Sequence, residues 1–157
     1  MNNLTIKHIK ANAVTDEEFV QIYNVEQNSA GDPYSKEGLK EIVFYENNDN
    51  FLCYENELLV GEATLNPNSK RLGGSIYLIN ISVHKDYQRQ GIASAMMTNI
   101  INYYKTKMPE KQLSLNVEKS NTKAFNLYKK FGFSVIESDD EDYLMAHPAL
   151  DNENDKK

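Results

Sequence analysis

The most informative shortages in this sequence are those of cysteine and of long apolar runs. The chain of 157 residues has one cysteine, which excludes an internal disulfide framework and is compatible with a reducing compartment. No apolar run approaches the roughly 20 residues of a membrane span, and the first ten residues lack the apolar core of a signal peptide. We therefore expect a soluble cytoplasmic protein of one domain that does not interact with a membrane.

Several common ligand-binding motifs are also missing. The sequence contains neither G-x-G-x-x-G nor GK[ST], which excludes a Rossmann fingerprint and a P-loop. His8, His84 and His147 are far apart and, with one cysteine, form no metal-ligand spacing, so we expect no metal site. The acidic run at 137–142 lacks the glycine and the spacing of a calcium loop. The net charge of −6 argues against nucleic acid as the main partner.

Charge is unevenly distributed along the chain. Residues 84–130 carry nine basic and three acidic side chains, whereas the remaining residues carry eight basic and twenty acidic ones. A basic segment within an acidic protein favours an anionic ligand that is held locally. The alternative is chance clustering of charges on solvated helix faces.

The pattern of apolar residues predicts the element order β-α-α-β-β-β-α-β-α-β-β. Thr15 and Glu18 indicate a capping box at the first helix, and Ser35 is the predicted cap of the second. The predicted strands are 4–9, 51–54, 58–65, 75–83, 112–117, 133–138 and 142–147, and the later helices cover 91–105 and a segment starting at 121. Strand 75–83 is expected to be central and buried on both faces, and 66–74 to be a loop. We expect a single α/β (α+β) domain over 1–150, with a mixed sheet and helices on both sides, and a disordered acidic tail at 151–157.

The turn at 88–93 is predicted to join strand 75–83 directly to a helix N-terminus. Several backbone N–H groups at such a terminus have no helical partner, and the helix dipole adds positive potential. Gly91 and Ala93 keep side chains out of the way of an approaching anion, and Arg89 adds a cation. This arrangement is suited to a pyrophosphate. A plain β–α turn is the alternative.

Two segments resemble signatures of the GNAT superfamily of N-acetyltransferases, which use acetyl-coenzyme A. QRQGIA at 88–93 is similar to Q/R-x-x-G-x-G/A, and NTKAFNLYKKFGF at 121–133 is similar to N-x-x-A-x-x-L-Y-x-x-x-G-F. Both lie in the expected order and separation, and the predicted elements match the family fold over nearly the whole chain. The resemblance implies a mostly antiparallel sheet of about seven strands flanked by about four helices.

The resemblance also implies a site for acetyl-CoA, with no metal. In the family the amides of the turn, here 89–94, hold the pyrophosphate. The edge of the fourth strand, here 81–83, pairs with the pantetheine arm where a bulge splays this strand from the next, and a backbone N–H there polarises the thioester carbonyl. The implied cofactor-binding residues are Ile81, Ser82, Val83, Gln88, Arg89, Gln90, Gly91, Ile92, Ala93, Ser94, Asn121, Ala124 and Tyr128. Asn121 is also a plausible helix N-cap.

By the same resemblance, Tyr128 is the general acid that protonates the leaving thiolate, although its place on an apolar helix face also suits a core tyrosine. The general base stays open. Glu62 and Glu118 are tentative candidates, and each is alternatively an exposed strand-end carboxylate. A water chain past Tyr77 or Asn80 is an equal alternative.

One subgroup of the family has a glutamate that this chain lacks. LNVEKSN at 115–121 resembles the L-E-V-R-x-S-N pattern of the ribosomal-protein alanine N-acetyltransferases, but Asn116 occupies their glutamate position. An amide cannot act as a base, which argues against a ribosomal N-terminal substrate.

The function implied is transfer of an acetyl group from acetyl-CoA to a primary amine by direct attack in a ternary complex. In the family the first two helices shape the acceptor site, and residues 1–83 carry six basic and twelve acidic side chains. We therefore expect a small cationic molecule, or a Lys-like or N-terminal group, as acceptor. The alternatives are a non-catalytic acetyl-CoA-binding sensor or interaction module and a nucleic-acid binder that uses the basic segment. Dimers are common among such folds, so a homodimer is one assembly that we consider.

Overall fold

A computed structural model describes residues 3–148 and confirms the predicted order of elements and the fold class. Within that range the strands are β1 (Leu4–Lys10), β2 (Asp49–Glu55), β3 (Leu58–Ser69), β4 (Ser75–Val83), β5 (Leu113–Glu118), β6 (Ser134–Ser138) and β7 (Asp142–His147). The α-helices are α1 (Asp16–Gln27), α2 (Lys36–Val43), α3 (Ile92–Lys107) and α4 (Thr122–Lys130). The strands form a mixed, mostly antiparallel sheet in the order β1-β2-β3-β4-β5-β7-β6. The predicted tail at 151–157 lies outside the described residues.

Capping side chains set where α1 and α2 begin. Thr15 Oγ1 accepts the Glu18 N–H at 3.0 Å, and the Glu18 carboxylate accepts the Thr15 N–H at 2.9 Å, so the predicted capping box is confirmed. Ser35 Oγ accepts the Gly38 N–H at 3.0 Å and confirms the predicted cap of α2. Each cap of this kind contributes about 1 kcal/mol. No helix within residues 3–148 has the length and apolarity to cross a membrane.

The described residues divide into two compact units, and the first unit comprises residues 3–66 and Ile79–Asn99. In this unit β2 lies antiparallel to both β1 and β3, with Ile6 opposite Cys53 and Leu52 opposite Glu62. The unit has its own apolar core, formed by Val14, Phe19, Ile22, Val25, Leu39, Val43, Leu52 and Leu59.

Gly61 of β3 marks a close approach between strand and helix in the first unit. A Cβ at this position would lie 2.8 Å from Met96 Sδ and 3.3 Å from Ile92 Cγ2, and both of these residues belong to α3. Met96 and Ile92 are buried, so a side chain at position 61 would push against the first turns of α3. The glycine thereby allows the start of α3 to lie directly against β3.

The second unit comprises Pro67–Leu78 and residues 100–148. Here the first part of β4 pairs in parallel with β5, from Ile76 opposite Leu113 to Leu78 opposite Leu115. Strand β7 is antiparallel to both β5 and β6, and β6 is exposed along its length. The fully buried side chains of this unit include Tyr104, Leu113 and Met145.

Two predictions about strands are wrong. Strand β3 continues through 66–69, where turn-forming residues favoured a loop. Pro67 lies beyond Leu65, which is opposite the first residue of β2, so its missing N–H removes no hydrogen bond to that strand. Strand β4 is not buried on both faces throughout: Ser75, Ile76 and Leu78 are buried, but residues 79–83 are all half-buried. The mainly apolar composition of 79–83 hid the fact that this end of the strand lies near the surface.

Candidate active site

The predicted pyrophosphate turn has unusual backbone geometry. We expected this turn to join β4 directly to α3, and that prediction is wrong. A short 3-10 turn at Lys85–Tyr87 lies between β4 and the start of α3 at Ile92. Arg89 and Gly91 have φ angles of 65° and 77°, in the left-handed region. For a side chain such as arginine this region costs about 1–2 kcal/mol. Strain of this kind persists where the surrounding structure enforces it, and it is concentrated at functional sites.

Open space in front of the turn fits an anionic ligand. A Cβ placed on Gly91 would meet no atom within 4 Å. The first N–H groups of α3, at Ile92, Ala93 and Ser94, have no partner within the helix, and the helix dipole adds positive potential. Arg89 is exposed beside them. These features are compatible with a pyrophosphate held by the turn.

The other predicted cofactor residues of the first unit flank this turn. Residues 81–83 end β4 and are half-buried. Gln88 donates from Nε2 to the Val83 carbonyl at 3.2 Å, which ties the turn back to the end of that strand. Gln90 is exposed, and Ala93 and Ser94 are half-buried. Ile92 is 1% exposed, so its side chain belongs to the core and its backbone is the part that remains for a ligand.

Two buried carboxyl groups lie beside the half-buried end of β4. Glu62 of β3 is 1% exposed, and Glu26 of α1 is 2% exposed. Asn80 Nδ2 donates to Glu26 Oε1 at 2.9 Å and to Glu62 Oε2 at 3.2 Å, which makes the two carboxyl groups close neighbours. The alternative that Glu62 is an exposed strand-end carboxylate is therefore wrong. We call these two residues the carboxyl pair.

Hydrogen-bond donors are shared unequally within the carboxyl pair. Ser82 Oγ donates to Glu26 Oε1 at 2.8 Å, and the Tyr34 N–H donates to Glu26 Oε2 at 2.8 Å, so with Asn80 the Glu26 carboxylate accepts three bonds. Glu62 accepts the longer bond from Asn80, and its Oε1 is buried without a hydrogen-bond partner among residues 3–148. Both carboxylate oxygens of Glu26 are therefore hydrogen-bonded, whereas one oxygen of Glu62 is not.

Glu62 is the member that holds a proton. Burial raises the pKa of Glu62 well above its ordinary value, and the charge of Glu26 and hydrogen bonding with it raise this pKa further. Two like charges on neighbouring carboxyl groups repel each other, which disfavours double ionisation. The carboxyl pair therefore keeps one proton at pH values where an exposed glutamate is already ionised.

The candidate residues at the link between β5 and α4 belong to the second unit. Glu118 ends β5 and is exposed, and its carbonyl accepts the Asn121 N–H at 2.9 Å. Asn121 Oδ1 accepts the Ala124 N–H at 3.1 Å, which confirms Asn121 as the N-cap of α4. Of the two candidate bases, Glu118 is the solvated one and Glu62 the buried one.

Tyr128, the predicted general acid, lies on α4 and is 6% exposed. Its ring centroid is 5.9 Å from that of Phe133. Burial raises the pKa of the Tyr128 hydroxyl to about 12, so the group is protonated at neutral pH. A protonated hydroxyl is required of a general acid, and deep burial is equally typical of a core tyrosine. The burial of Tyr128 therefore fits both interpretations.

The strand position that carries glutamate in the resembled L-E-V pattern holds a neutral pair here. Tyr77 Oη donates to Asn116 Oδ1 at 2.5 Å, and Asn116 is exposed. The Arg71 guanidinium lies 5.2 Å from the centroid of the Tyr77 ring. Burial raises the pKa of Tyr77 above its ordinary value, so its hydroxyl stays neutral.

Glu26 is the site residue that the sequence-based prediction missed. It follows Phe19 and Ile22 at helical spacing, so it lies on the buried face of α1. A charged residue on an apolar helix face is a signal of a paired or functional group. Its partners Asn80 and Ser82 are more than fifty residues away along the chain, which is why local patterns did not reveal the contact.

Comparison with known proteins shows the family of this chain. The model of the Acetyltransferase (GNAT) family matches residues 17–133. The chain therefore belongs to the GNAT acetyltransferase family, a family of acyltransferases, and the resemblance seen in the two sequence signatures is confirmed.

Individual relatives resemble the chain at modest identity. The crystal structure of the ribosomal-protein-S18-alanine N-acetyltransferase from Escherichia coli is 26% identical, with a TM-score of 0.78 over 93% of this chain and 94% of that chain. The PaiA N-acetyltransferase from Thermoplasma acidophilum, solved in complex with coenzyme A, shares the fold at 17% identity, with a TM-score of 0.75 over 93% of this chain and 99% of that chain. N-alpha-acetyltransferase 50 from Danio rerio is 28% identical over 98 residues, which is 62% of this chain and 58% of that protein. The chain thus matches little more than half the length of this curated relative.

Proposed function

We propose that this protein is an N-acetyltransferase that transfers the acetyl group of acetyl-CoA to a primary amine by direct attack in a ternary complex. The proposed acceptor is a small cationic molecule or a Lys-like or N-terminal group. The observation that carries the proposal is the buried carboxyl group of Glu62 beside Asn80 and the half-buried end of β4, in a chain of the GNAT family. That end of the strand includes 81–83, which the family uses to align the thioester.

Cofactor binding is assigned to the turn and to the end of β4. Acetyl-CoA supplies an acetyl thioester whose carbonyl is open to attack by an amine. The N–H groups at the start of α3 and the Arg89 guanidinium would hold the pyrophosphate, since the space at Gly91 is open and the helix dipole is positive there. The backbone of 81–83 would hold the pantetheine arm, and Asn121, Ala124 and Tyr128 are the proposed contacts in the second unit.

Proton transfer is assigned to Glu62 and Tyr128. An alkyl ammonium with a pKa near ~10 must lose a proton before its nitrogen can attack. Once ionised, Glu62 is a stronger base than an exposed glutamate, because burial and the charge of Glu26 raise its pKa. Tyr128, whose pKa is raised to about 12, is the proposed donor of the proton to the departing sulfur. Glu118 is exposed and is the weaker candidate for the base.

The acidity of the first 83 residues favours a cationic acceptor. This segment carries six basic and twelve acidic side chains, and it includes both members of the carboxyl pair. A cleft lined by one sign of charge raises the local concentration of oppositely charged substrates. An anionic amine would meet repulsion at the same surface.

An amine-library assay with acetyl-CoA, read by free thiol, tests the proposal. The panel contains polyamines, amino acids, aminoglycosides and peptides, and we expect the highest kcat/KM with cationic amines. The Tyr128→Phe variant should lose roughly tenfold or more in kcat while keeping its affinity for acetyl-CoA. Tyr45→Phe, at an exposed tyrosine, is the matched control and should match the wild type. Best activity with anionic amines would contradict the acceptor assignment.

The same assay separates an enzyme from a non-catalytic sensor. A sensor would bind acetyl-CoA tightly and release no thiol with any amine of the panel. Equal turnover in the wild type and in Tyr128→Phe would instead leave the protein an enzyme and return Tyr128 to the role of a core residue.

A further inference from the structure

We propose that Glu26 is a positioning residue for acetyl transfer, because its carboxylate keeps the single proton of the carboxyl pair on Glu62 and joins the segment at Tyr34 to the end of β4. The inference rests on the proposed role of Glu62 as the base. It assigns to α1 a part in the reaction that neither of the two sequence signatures contains.

The first step of the argument is the division of donors between the two carboxyl groups. Three donors, from Tyr34, Asn80 and Ser82, converge on the two oxygens of Glu26 at 2.8–2.9 Å. Glu62 accepts a longer bond from Asn80, at 3.2 Å, and its Oε1 is buried without a hydrogen-bond partner among residues 3–148. A carboxylate with this little solvation is costly to bury, whereas a carboxylic acid is tolerated.

The second step concerns the groups that surround Glu62. Strand β2 presents the apolar Leu52 opposite it. Strand β4 contributes the neutral side chains of Asn80 and Ser82, and α1 contributes Glu26. No salt bridge involves either member of the carboxyl pair in the described part of the chain. The charge of Glu26 therefore acts on Glu62 without a nearby cation to offset it.

The third step is the mechanical link through Glu26. Its Oε2 holds the N–H of Tyr34, whose carbonyl accepts a bond from Gln27 Nε2 at 2.8 Å. Its Oε1 holds Asn80 and Ser82 of β4. One carboxylate thus connects the segment between α1 and α2, which the family uses for the acceptor, with the strand that it uses for the cofactor.

The proton balance of the pair follows from these contacts. At pH values where exposed glutamates are already ionised, Glu62 of the free protein still holds its proton, because its pKa is raised. As the pH rises, this proton leaves to solvent. The ionised Glu62 then accepts one proton from the acceptor ammonium, which becomes the neutral amine, and the pair returns to its one-proton state.

A carbon-13 NMR titration of side-chain carboxyl groups tests the proposal without any turnover. Glu62→Gln removes one signal and so assigns Glu62. In the wild type we expect Glu62 to titrate well above the range of exposed glutamates. In Glu26→Gln its midpoint should fall by about one pH unit or more, because the neighbouring charge is gone. In Glu26→Asp, which keeps the charge, the midpoint should return towards the wild-type value.

The matched control is Glu17→Gln, which removes a charge from an exposed position on the same helix. It should leave the Glu62 titration where it is in the wild type. A Glu62 that is already ionised in the wild type at the pH of exposed glutamates, or a midpoint equal in wild type and Glu26→Gln, would overturn the proposal. If Glu26→Gln fails to fold, the wild-type titration and Glu26→Asp still decide it.

The pH dependence of kcat/KM then separates this proposal from the proposed function. If Glu62 is the base, the acidic limb of the profile should move to lower pH in Glu26→Gln by the shift seen in the NMR titration, and it should stay in place in Glu17→Gln. A merely structural role of Glu26 would lower the rate without moving the limb, which would contradict the positioning role. If no variant turns over but the Glu62 midpoint still shifts in the NMR titration, the proposed function is overturned. The effect of Glu26 on the proton of Glu62 would still be supported.

Discussion

The two units of the molecule differ in the polar side chains at their candidate proton-transfer positions. The first unit buries two carboxyl groups, Glu26 and Glu62, at 2% and 1% exposure. The second unit has an exposed amide, Asn116, at the strand position where the resembled pattern has glutamate, and Tyr77 bonds to it. The first arrangement includes Glu62, whose pKa is raised above its ordinary value, and the second has no carboxyl group at position 116. If Glu62 is the base, as proposed, the proton-accepting group lies on β3 and not on the strand where the resembled pattern has glutamate.

The strongest test of this comparison replaces one glutamate in each unit. Glu62→Gln should lower kcat/KM by about 10²–10⁴-fold, the usual contribution of a general base. Glu118→Gln, at an exposed carboxylate of the second unit, is the matched control and should change kcat/KM by less than about threefold, as expected of a surface substitution. Initial rates with the best amine of the panel measure both effects. A larger loss in Glu118→Gln than in Glu62→Gln would reverse the assignment of the base.

The same variant predicts a pH dependence of stability. The folded-state pKa of Glu62 is raised by burial and by Glu26, so its contribution to stability is fully present below the ordinary value of 4.5 and is lost as the pH rises through the raised value. Glu62→Gln has no such proton to lose. We therefore expect its free energy of unfolding to exceed that of the wild type by a margin that grows from pH 5 upwards, as urea denaturation at several pH values would show. A constant difference would mean that Glu62 does not titrate differently in the folded state.

A second, smaller effect is expected from crowding the first unit at Gly61. In Gly61→Ala the new Cβ would lie 2.8 Å from Met96 Sδ, and overpacking of this kind costs about 1–3 kcal/mol. Met96→Ala removes the opposing side chain, so Gly61→Ala should cost less in that background. A double-mutant cycle from urea denaturation measures this coupling. Additive effects in the cycle would show that Met96 is not what restricts position 61.

A fourth prediction compares one glycine from each unit. Gly91 and Gly73 both have left-handed φ angles, 77° and 68°, and a Cβ at either would meet no atom within 4 Å. Alanine at each should therefore cost about 1–2 kcal/mol of stability from backbone strain. Only Gly91→Ala should weaken binding of coenzyme A, by roughly tenfold, a loss of about 1.4 kcal/mol. Isothermal titration calorimetry with coenzyme A measures both affinities. Equal affinity in the two variants would mean that the turn at 88–93 is a plain β–α turn that does not bind the cofactor.

The smallest effect is expected at the neutral pair of the second unit. Asn116→Ala removes an exposed hydrogen-bond partner of Tyr77, so the free energy of unfolding should change by less than about 0.5 kcal/mol. Because no proton is exchanged there in the proposed reaction, kcat/KM should change by less than about threefold. Steady-state rates and thermal denaturation suffice for the measurement. A hundredfold loss of kcat/KM in Asn116→Ala would contradict this prediction and would indicate that Tyr77 and Asn116 take part in proton transfer.

Local patterns in the sequence were sufficient for the fold. The capping box at Thr15, the N-cap at Asn121 and the order of apolar segments depend on residues within a few positions of one another, and the structure confirms them. Strand ends were less predictable. Asn66 and Pro67 favour turns, yet β3 continues through them to Ser69, beyond Leu65, which lies opposite the first residue of β2.

The candidate site was only partly predictable. The turn at 88–93 and the tyrosine at 128 come from contiguous signatures, and their roles remain predictions. Glu62 was named as a tentative base, but its burial could not be predicted, because it depends on Glu26 and Asn80, which come from distant parts of the chain. Likewise, no sequence pattern showed that the Tyr34 N–H and the Ser82 hydroxyl meet on one carboxylate.

The burial of Cys53 in β2 has a practical consequence for chemical labelling. Its side chain is inaccessible, and burial, with a smaller effect of Glu55, raises the thiol pKa to about 11, so almost no thiolate exists at neutral pH. A disulfide reagent added to follow free thiol in the proposed assay would leave Cys53 of the folded protein unmodified. Once β2 separates from its neighbours, the same reagent would modify Cys53. The rate at which the reagent modifies the single cysteine therefore measures how often the first unit opens, in the same assay that measures thiol release.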